Sequence, residues 1–190
     1  KPIDFLECIK KYNKIKQYTY QPINAAEDLV HIVEEVLDTD IKRWVYSEGA
    51  EKLFDNAPEA LIQKTLRTEF ENAFLRRGFR SNKIDIYREV QLLDDVRPDF
   101  IISYGFIQGI IVEIKLLHNH ELSSESRMKT YKKKLLRYVD GTRSKYGLFL
   151  VFRIRNQPTP DLQQTIQQLK NIYRDCDHIR IKDFDCMEIT

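Results

Sequence analysis

The sequence predicts an α/β protein: a mixed central sheet with helices packed on its faces. Stretches of helical spacing and short β-branched runs follow one another as helix, three-strand meander, helix, strand, helix and final strand. The two central runs, residues 97–103 and 109–117, are nearly continuous in isoleucine, valine and leucine, as strands covered on both faces require. The 190 residues suffice for one good core, and 42% hydrophobic against 32% charged residues is a globular composition.

Residues 1–57 read as an N-terminal helical extension and residues 58–190 as the core domain. Residues 3–18 are lysine-rich with scattered apolar positions. Asn24 can cap a helix through Ala26, Leu29, Val30, Val33 and Leu37, with Glu27 in its first turn. Asp38-Thr39-Asp40 then opens a further short segment around Trp44. A longer helix follows, capped by Asn56 or Asp55, with Pro58 in its first turn and Gly78 at its end. Its buried face is Ile62, Leu66, Phe70, Ala73 and Phe74. Glu59 falls near the centre of that face, Glu69 at its edge, and Glu71 points away.

Residues 83–91 alternate, with Ile84, Ile86 and Val90 on one side. After the two central strands, Ser123 or Ser124 caps a basic helix that reaches about Val139 and stops at Gly141. Residues 146–152 form a buried strand. Pro158 and Pro160 introduce a last helix through Leu162, Ile166, Leu169 and Ile172, and a final strand starts near His178.

Composition narrows the function classes. The net charge is only +2, so any contact with nucleic acid must rest on where the cations sit. Cys8, Cys176 and Cys186 are odd in number and lack metal-ligand spacing, which points to free thiols in a reducing compartment and so to the cytoplasm. No apolar run approaches bilayer length and no signal peptide is visible, so a membrane is not an expected partner. The chain starts at Lys1 rather than methionine, which leads us to expect a domain of a longer protein, with a sensor domain or partner outside it. The N-terminal helices could support a homodimer.

Chemistry concentrates on the central pair of strands. If their turn centres near Phe106, antiparallel pairing sets Asp99 opposite Glu113, and Lys115 shares the sheet face of Glu113. Opposed side chains have Cβ atoms about 4.5–5.5 Å apart, and like charges there repel. Burying such charge among isoleucines is costly unless something compensates it. A hard divalent cation, Mg²⁺ or Mn²⁺, held by Asp99, Glu113 and the Ile114 carbonyl is one compensator. Such an ion would activate water and neutralise a phosphodiester transition state. Lys115 would then orient or deprotonate the water, the second role requiring a lowered pKa, or stabilise developing negative charge. Glu59 would reach in from its helix as an additional ligand or water anchor. The alternative is an ion-pair network that only stabilises the sheet.

Pro98-Asp99, a 13-residue spacer fitting a hairpin, and Glu113-Ile114-Lys115 resemble the signature of the PD-(D/E)XK nuclease superfamily. The resemblance covers residues 58–152, as helix, meander, signature strand, helix and strand. It implies a restriction-endonuclease-like αβββαβ core and Mg²⁺-dependent endonuclease activity, with Asp99, Glu113 and Lys115 as the catalytic set. It also implies an acidic residue on the preceding helix, which Glu59 or its rival Glu69 would supply. Related members often carry a glutamine and a tyrosine four apart on the next helix; here Lys134 and Tyr138 hold that spacing. Nuclease domains of this kind are often fused to sensors in prokaryotic restriction and antiviral defence proteins, which makes a defence effector the expected setting.

Between Arg127 and Lys145 stand eight basic residues against the single acid Asp140. A helix so charged beside the signature strand would track phosphates, with Arg127, Lys129, Lys133 and Lys134 as contacts. Tyr131 among them would stack on a base or cover the core. Arg76, Arg77 and Arg80 form a smaller cluster. The string His118-Asn119-His120 is not an HNH motif, which spreads its residues over a ββα unit. DNA is the leading substrate, with RNA and a non-catalytic nucleic-acid-binding or assembly module as alternatives.

Overall fold

A five-stranded mixed sheet organises the structure, a computed structural model that describes residues 23–47, 50, 53–79, 83–88, 97–142, 144–157 and 160–187. The lysine-rich segment 3–18 lies outside the described residues, as do Cys8, Arg80, Val90, Arg143 and Pro158. The strands β1 (Ile84–Arg88), β2 (Phe100–Tyr104), β3 (Ile107–Leu116), β4 (Tyr146–Arg153) and β5 (Ile179–Asp185) lie side by side in chain order. β1, β2 and β3 form the antiparallel meander, and β4 and β5 add in parallel. Parallel neighbours need crossovers. The helices Glu125–Gly141 and Leu162–Ile172 supply them. The α/β class and the order of elements are those expected from sequence.

β3 alternates between two apolar layers. Ile110, Val112, Ile114 and Leu116 face one layer, shared with the helices that precede the sheet. Ile111 and Leu117 face the other, shared with the two crossover helices. By the same alternation Glu113 and Lys115 point into this second layer.

The first layer begins with α1 (Ala26–Val36). Its cap is Ala25 rather than Asn24. The Asp28 carboxylate reaches back to accept from the backbone N–H of Asn24 at 2.9 Å and of Ala25 at 3.0 Å. The break expected at Asp38-Thr39-Asp40 is instead a π-helical turn, Leu37–Ile41, that runs straight into α2 (Lys42–Val45). The widened turn keeps both Leu37 and Ile41 fully buried. Asp55 and Asn56 belong to the short α3 (Leu53–Asn56) and do not cap the next helix; α4 (Glu59–Arg76) is entered from Pro58 without a side-chain cap. α4 ends as expected at Gly78, whose φ of 84° is the left-handed conformation glycine adopts freely. Phe79 N–H returns to Phe74 O and Gly78 N–H to Leu75 O, both at 3.0 Å, with the Phe74 and Phe79 rings edge to face. Buried residues of α1 and α2 share one layer with those of α4 and β3, so residues on both sides of the expected 57/58 boundary build one core.

In the second layer α5 (Glu125–Gly141) starts at Ser124, whose hydroxyl accepts from Arg127 N–H at 3.4 Å. Gly141 is its last residue, and the Thr142 hydroxyl closes the end by donating to Tyr138 O at 2.7 Å. α6 (Leu162–Ile172) is capped by Asp161, which accepts from Gln164 N–H at 2.7 Å. Cys176 and Cys186 are buried free thiols.

Candidate functional site

The register of β2 on β3 builds the site. Phe100 pairs with Val112, so Asp99, one residue before β2, lies beside Glu113. The Asp99 Oδ2 accepts from Ile114 N–H at 2.7 Å, and Glu113 Oε2 accepts from Asp99 N–H at 3.3 Å. Two residues along β3, Lys115 brings its Nζ to 3.7 Å from Glu113 Oε1. Glu113 is 2% exposed and Lys115 6%. The trio therefore gathers at one end of the hairpin.

α4 delivers Glu59, not Glu69. Glu59 is its first residue, and its Oε1 lies 3.1 Å from Lys115 Nζ. Its Oε2 accepts from Leu116 N–H and from Asn119 Nδ2, each at 3.3 Å. Since α4 packs on the opposite layer, Glu59 reaches Lys115 around the C-terminal end of β3.

Other side chains complete the cluster unforeseen. Gln63, one turn after Glu59 on α4, donates from Nε2 to Asp99 Oδ1 at 2.8 Å. A polar residue between Ile62 and Leu66 on the apolar stripe was its sequence signal. Glu121 stands in the 3₁₀ turn His120–Leu122 with Oε2 at 3.6 Å from Lys115 Nζ. Loop residues have no periodicity, so nothing in the sequence marked it.

Of the two expectations for Tyr131, the structure favours covering the core over stacking on a base. It is 2% exposed, packs on Phe149 with ring centroids 5.3 Å apart, and donates its hydroxyl to Glu113 Oε1. A ring so enclosed cannot stack on a base; it belongs to the acidic cluster. Lys115 and Lys134 place their ammonium groups 5.3 and 5.4 Å from its centroid.

Burial sets the electrostatics. It pushes the Asp99 carboxyl up, and the Glu113 charge adds to it, to about 8 despite Lys115 and the Ile114 N–H. Burial likewise raises Glu113, against Lys115 and the Tyr131 hydroxyl. For Lys115 burial works downward, but Glu113, Glu59 and Asp99 outweigh it, and its pKa is raised. The lowered value that a base role for Lys115 requires is thus reversed: with these neighbours it is a firmly held ammonium ion.

Among the described residues no three histidine, cysteine, aspartate or glutamate side chains form a ready metal group. The donor chemistry of Asp99 and Glu113 nonetheless fits a hard cation. Mg²⁺ commonly takes one or two carboxylates and keeps several waters, and a bound cation would favour the ionised forms of two adjacent acids that burial otherwise opposes. Ile114 meets Asp99 through its N–H at 2.7 Å.

The basic surface is narrower than its composition suggests. Arg127 donates to Ser123 Oγ at 2.7 Å, Lys129 pairs with Glu125, and Lys132 is bound to Ile172 O and Asp175. Lys133, Lys134 and Arg137 are exposed on α5. An open cleft of about 540 Å³ beside the cluster is lined by Pro58, Glu59, Leu116, His118, Asn119 and His120 among others, which puts both histidines next to Glu59. No helix among the described residues is long and apolar enough to cross a membrane.

No curated protein and no solved structure matches this chain. Residues 29–156 match the sequence profile of a domain of unknown function and span the whole cluster from Glu59 to Tyr131, and the chain belongs to that family, DUF8371.

Proposed function

We propose that this chain is a Mg²⁺- or Mn²⁺-dependent nuclease that hydrolyses phosphodiester bonds, with DNA as its leading substrate. The observation that carries the reading is the convergence of Asp99, Glu113, Lys115 and Glu59 from two strands and a helix. A stable sheet has no need of it: replacing buried ion pairs by apolar residues is often neutral or stabilising. Asp99 and Glu113 would hold the cation, which supplies an activated water and charge neutralisation at the phosphate. Lys115, kept protonated by its acidic neighbours, binds a non-bridging phosphate oxygen and stabilises the negative charge that develops there. Glu59 holds the Lys115 ammonium in place through a 3.1 Å contact. The exposed Lys133, Lys134 and Arg137 give the nucleic-acid backbone a track on α5.

A second reading, a non-catalytic nucleic-acid-binding module, is favoured by one observation: Lys115 already has carboxylates of Glu59, Glu113 and Glu121 around it. One experiment separates the two. Purified protein is incubated with plasmid, linear duplex, single-stranded DNA and structured RNA, in Mg²⁺, Mn²⁺ or EDTA, beside Asp99→Asn. The nuclease reading expects cutting that needs the metal and vanishes in the variant. Cutting that ignores EDTA or survives Asp99→Asn removes it, and binding without cutting in every condition selects the module.

A further inference from the structure

We propose that Gln63 is a positioning residue that acts through Asp99 on cation binding, an inference that rests on reading this site as a hard-cation centre. Gln63 is 8% exposed, and its neighbours on α4, Ile62 and Leu66, are fully buried. An amide in such surroundings is costly unless hydrogen-bonded, and packing alone would be served by leucine or methionine. Its Nε2 is spent on one partner, Asp99 Oδ1 at 2.8 Å, while Ile114 N–H holds Oδ2 at 2.7 Å. The two donors grip both oxygens and so set the plane of the carboxylate.

Asp99 needs that grip more than Glu113 does. The β2–β3 ladder starts at Phe100 and Val112, so Asp99 stands just outside the sheet. Glu113 sits within β3 and is held by the Tyr131 hydroxyl as well. Each oxygen of Asp99 keeps a second acceptor site, so the grip leaves room for a cation. The donor is also neutral. A lysine or arginine at this position would pair with Asp99 and compete with the ion, whereas an amide orients the ligand without opposing the charge it must bind. Losing a partner of this kind typically costs about 10–100-fold in metal affinity.

Mn²⁺ affinity tests this directly, read from the free-ion electron paramagnetic resonance signal on metal-free protein. Wild type is compared with Gln63→Met, which keeps length and helix propensity but has no donor. Gln63→Asn, whose amide falls short of Asp99, repeats the loss should Gln63→Met not fold. Gln63→His places a ring N–H at comparable reach. The expected result is Mn²⁺ binding weakened about tenfold or more in the first two and largely recovered in Gln63→His. The Mn²⁺ concentration for half-maximal cleavage moves by the same factor, and kcat at saturating Mn²⁺ moves less. Wild-type Mn²⁺ affinity in a folded Gln63→Met or Gln63→Asn, whatever its melting temperature, overturns the role given to Gln63 alone. Absence of Mn²⁺ binding by the wild type overturns the cation-centre reading and this proposal with it.

Discussion

The carboxylates of Asp99 and Glu113 each accept a hydrogen bond from the main chain beside the other: Ile114 N–H to Asp99 at 2.7 Å, and Asp99 N–H to Glu113 at 3.3 Å. The hairpin is thereby stitched through two acids whose charges repel. Replacing Asp99 by asparagine keeps the shape and an oxygen for Ile114 while removing an acid whose ionisation burial and Glu113 oppose, and Gln63 can turn its amide over to match. Asp99→Asn is expected to raise the stability of the metal-free protein by on the order of 1 kcal/mol, or about 2–4 °C in Tm, while abolishing metal-dependent cleavage. A thermal melt in EDTA beside the cleavage assay checks both halves.

Lys115 lies 3.1, 3.7 and 3.6 Å from the carboxylates of Glu59, Glu113 and Glu121. Lys115→Met leaves buried negative charge uncompensated, and removing one partner of such a group costs about 3–5 kcal/mol. Urea unfolding should show that loss. The double variant Lys115→Met with Glu113→Gln should recover a large part of it, because the charge left behind is then smaller.

Tyr131 and the lysines of α5 should separate in their effects. Tyr131→Phe removes the hydroxyl from Glu113, a hydrogen bond to a charged group worth about 1.5–3 kcal/mol. Cleavage should fall, while nucleic-acid affinity and its salt dependence stay unchanged, because the ring is enclosed. Lys133→Ala and Arg137→Ala should instead weaken binding across sequences. Each should reduce the slope of log affinity against log salt by about 1. Fluorescence anisotropy over a salt series reads both.

Arg77 ties the end of α4 to the π-helical turn through Asp40, at 2.9 Å. Burial pushes the Asp40 carboxyl up, but the Arg77 guanidinium outweighs it and holds it below the ordinary carboxylate range. The pair's contribution is therefore fully present above about pH 4 and is lost as pH falls through the lowered value. Asp40→Asn should be less stable than wild type at neutral pH and converge with it in acid. Urea titrations over a pH series test this.

Much of the architecture could be read along the chain, because period and punctuation are local properties. The stripe Ile62, Leu66, Phe70, Phe74 with Gly78 after it marked α4 and its end, and the apolar runs around Phe106 marked the hairpin. Where a tertiary contact competes with a local signal, the contact wins. Asn24 yielded the cap of α1 to Asp28 reaching back from inside the helix. The polar triplet at Asp38 became a π-helical turn because Leu37 and Ile41 both had core to fill.

The site divides along the same line. The sequence alone determined that Asp99, Glu113 and Lys115 meet, since strand register follows from the turn and side chains alternate with a period of two. Only the tertiary structure decided that Glu59 rather than Glu69 joins them, that Gln63 and Tyr131 hold the two acids, and that Glu121 closes on Lys115. It also decided that Lys115 is an ammonium held by its neighbours. The physical reason is range: pairing within a hairpin is set by nearby residues, whereas α4, α5 and the loop after β3 come together only when the layers pack, and the charge on Lys115 depends on every carboxylate that packing brings within reach.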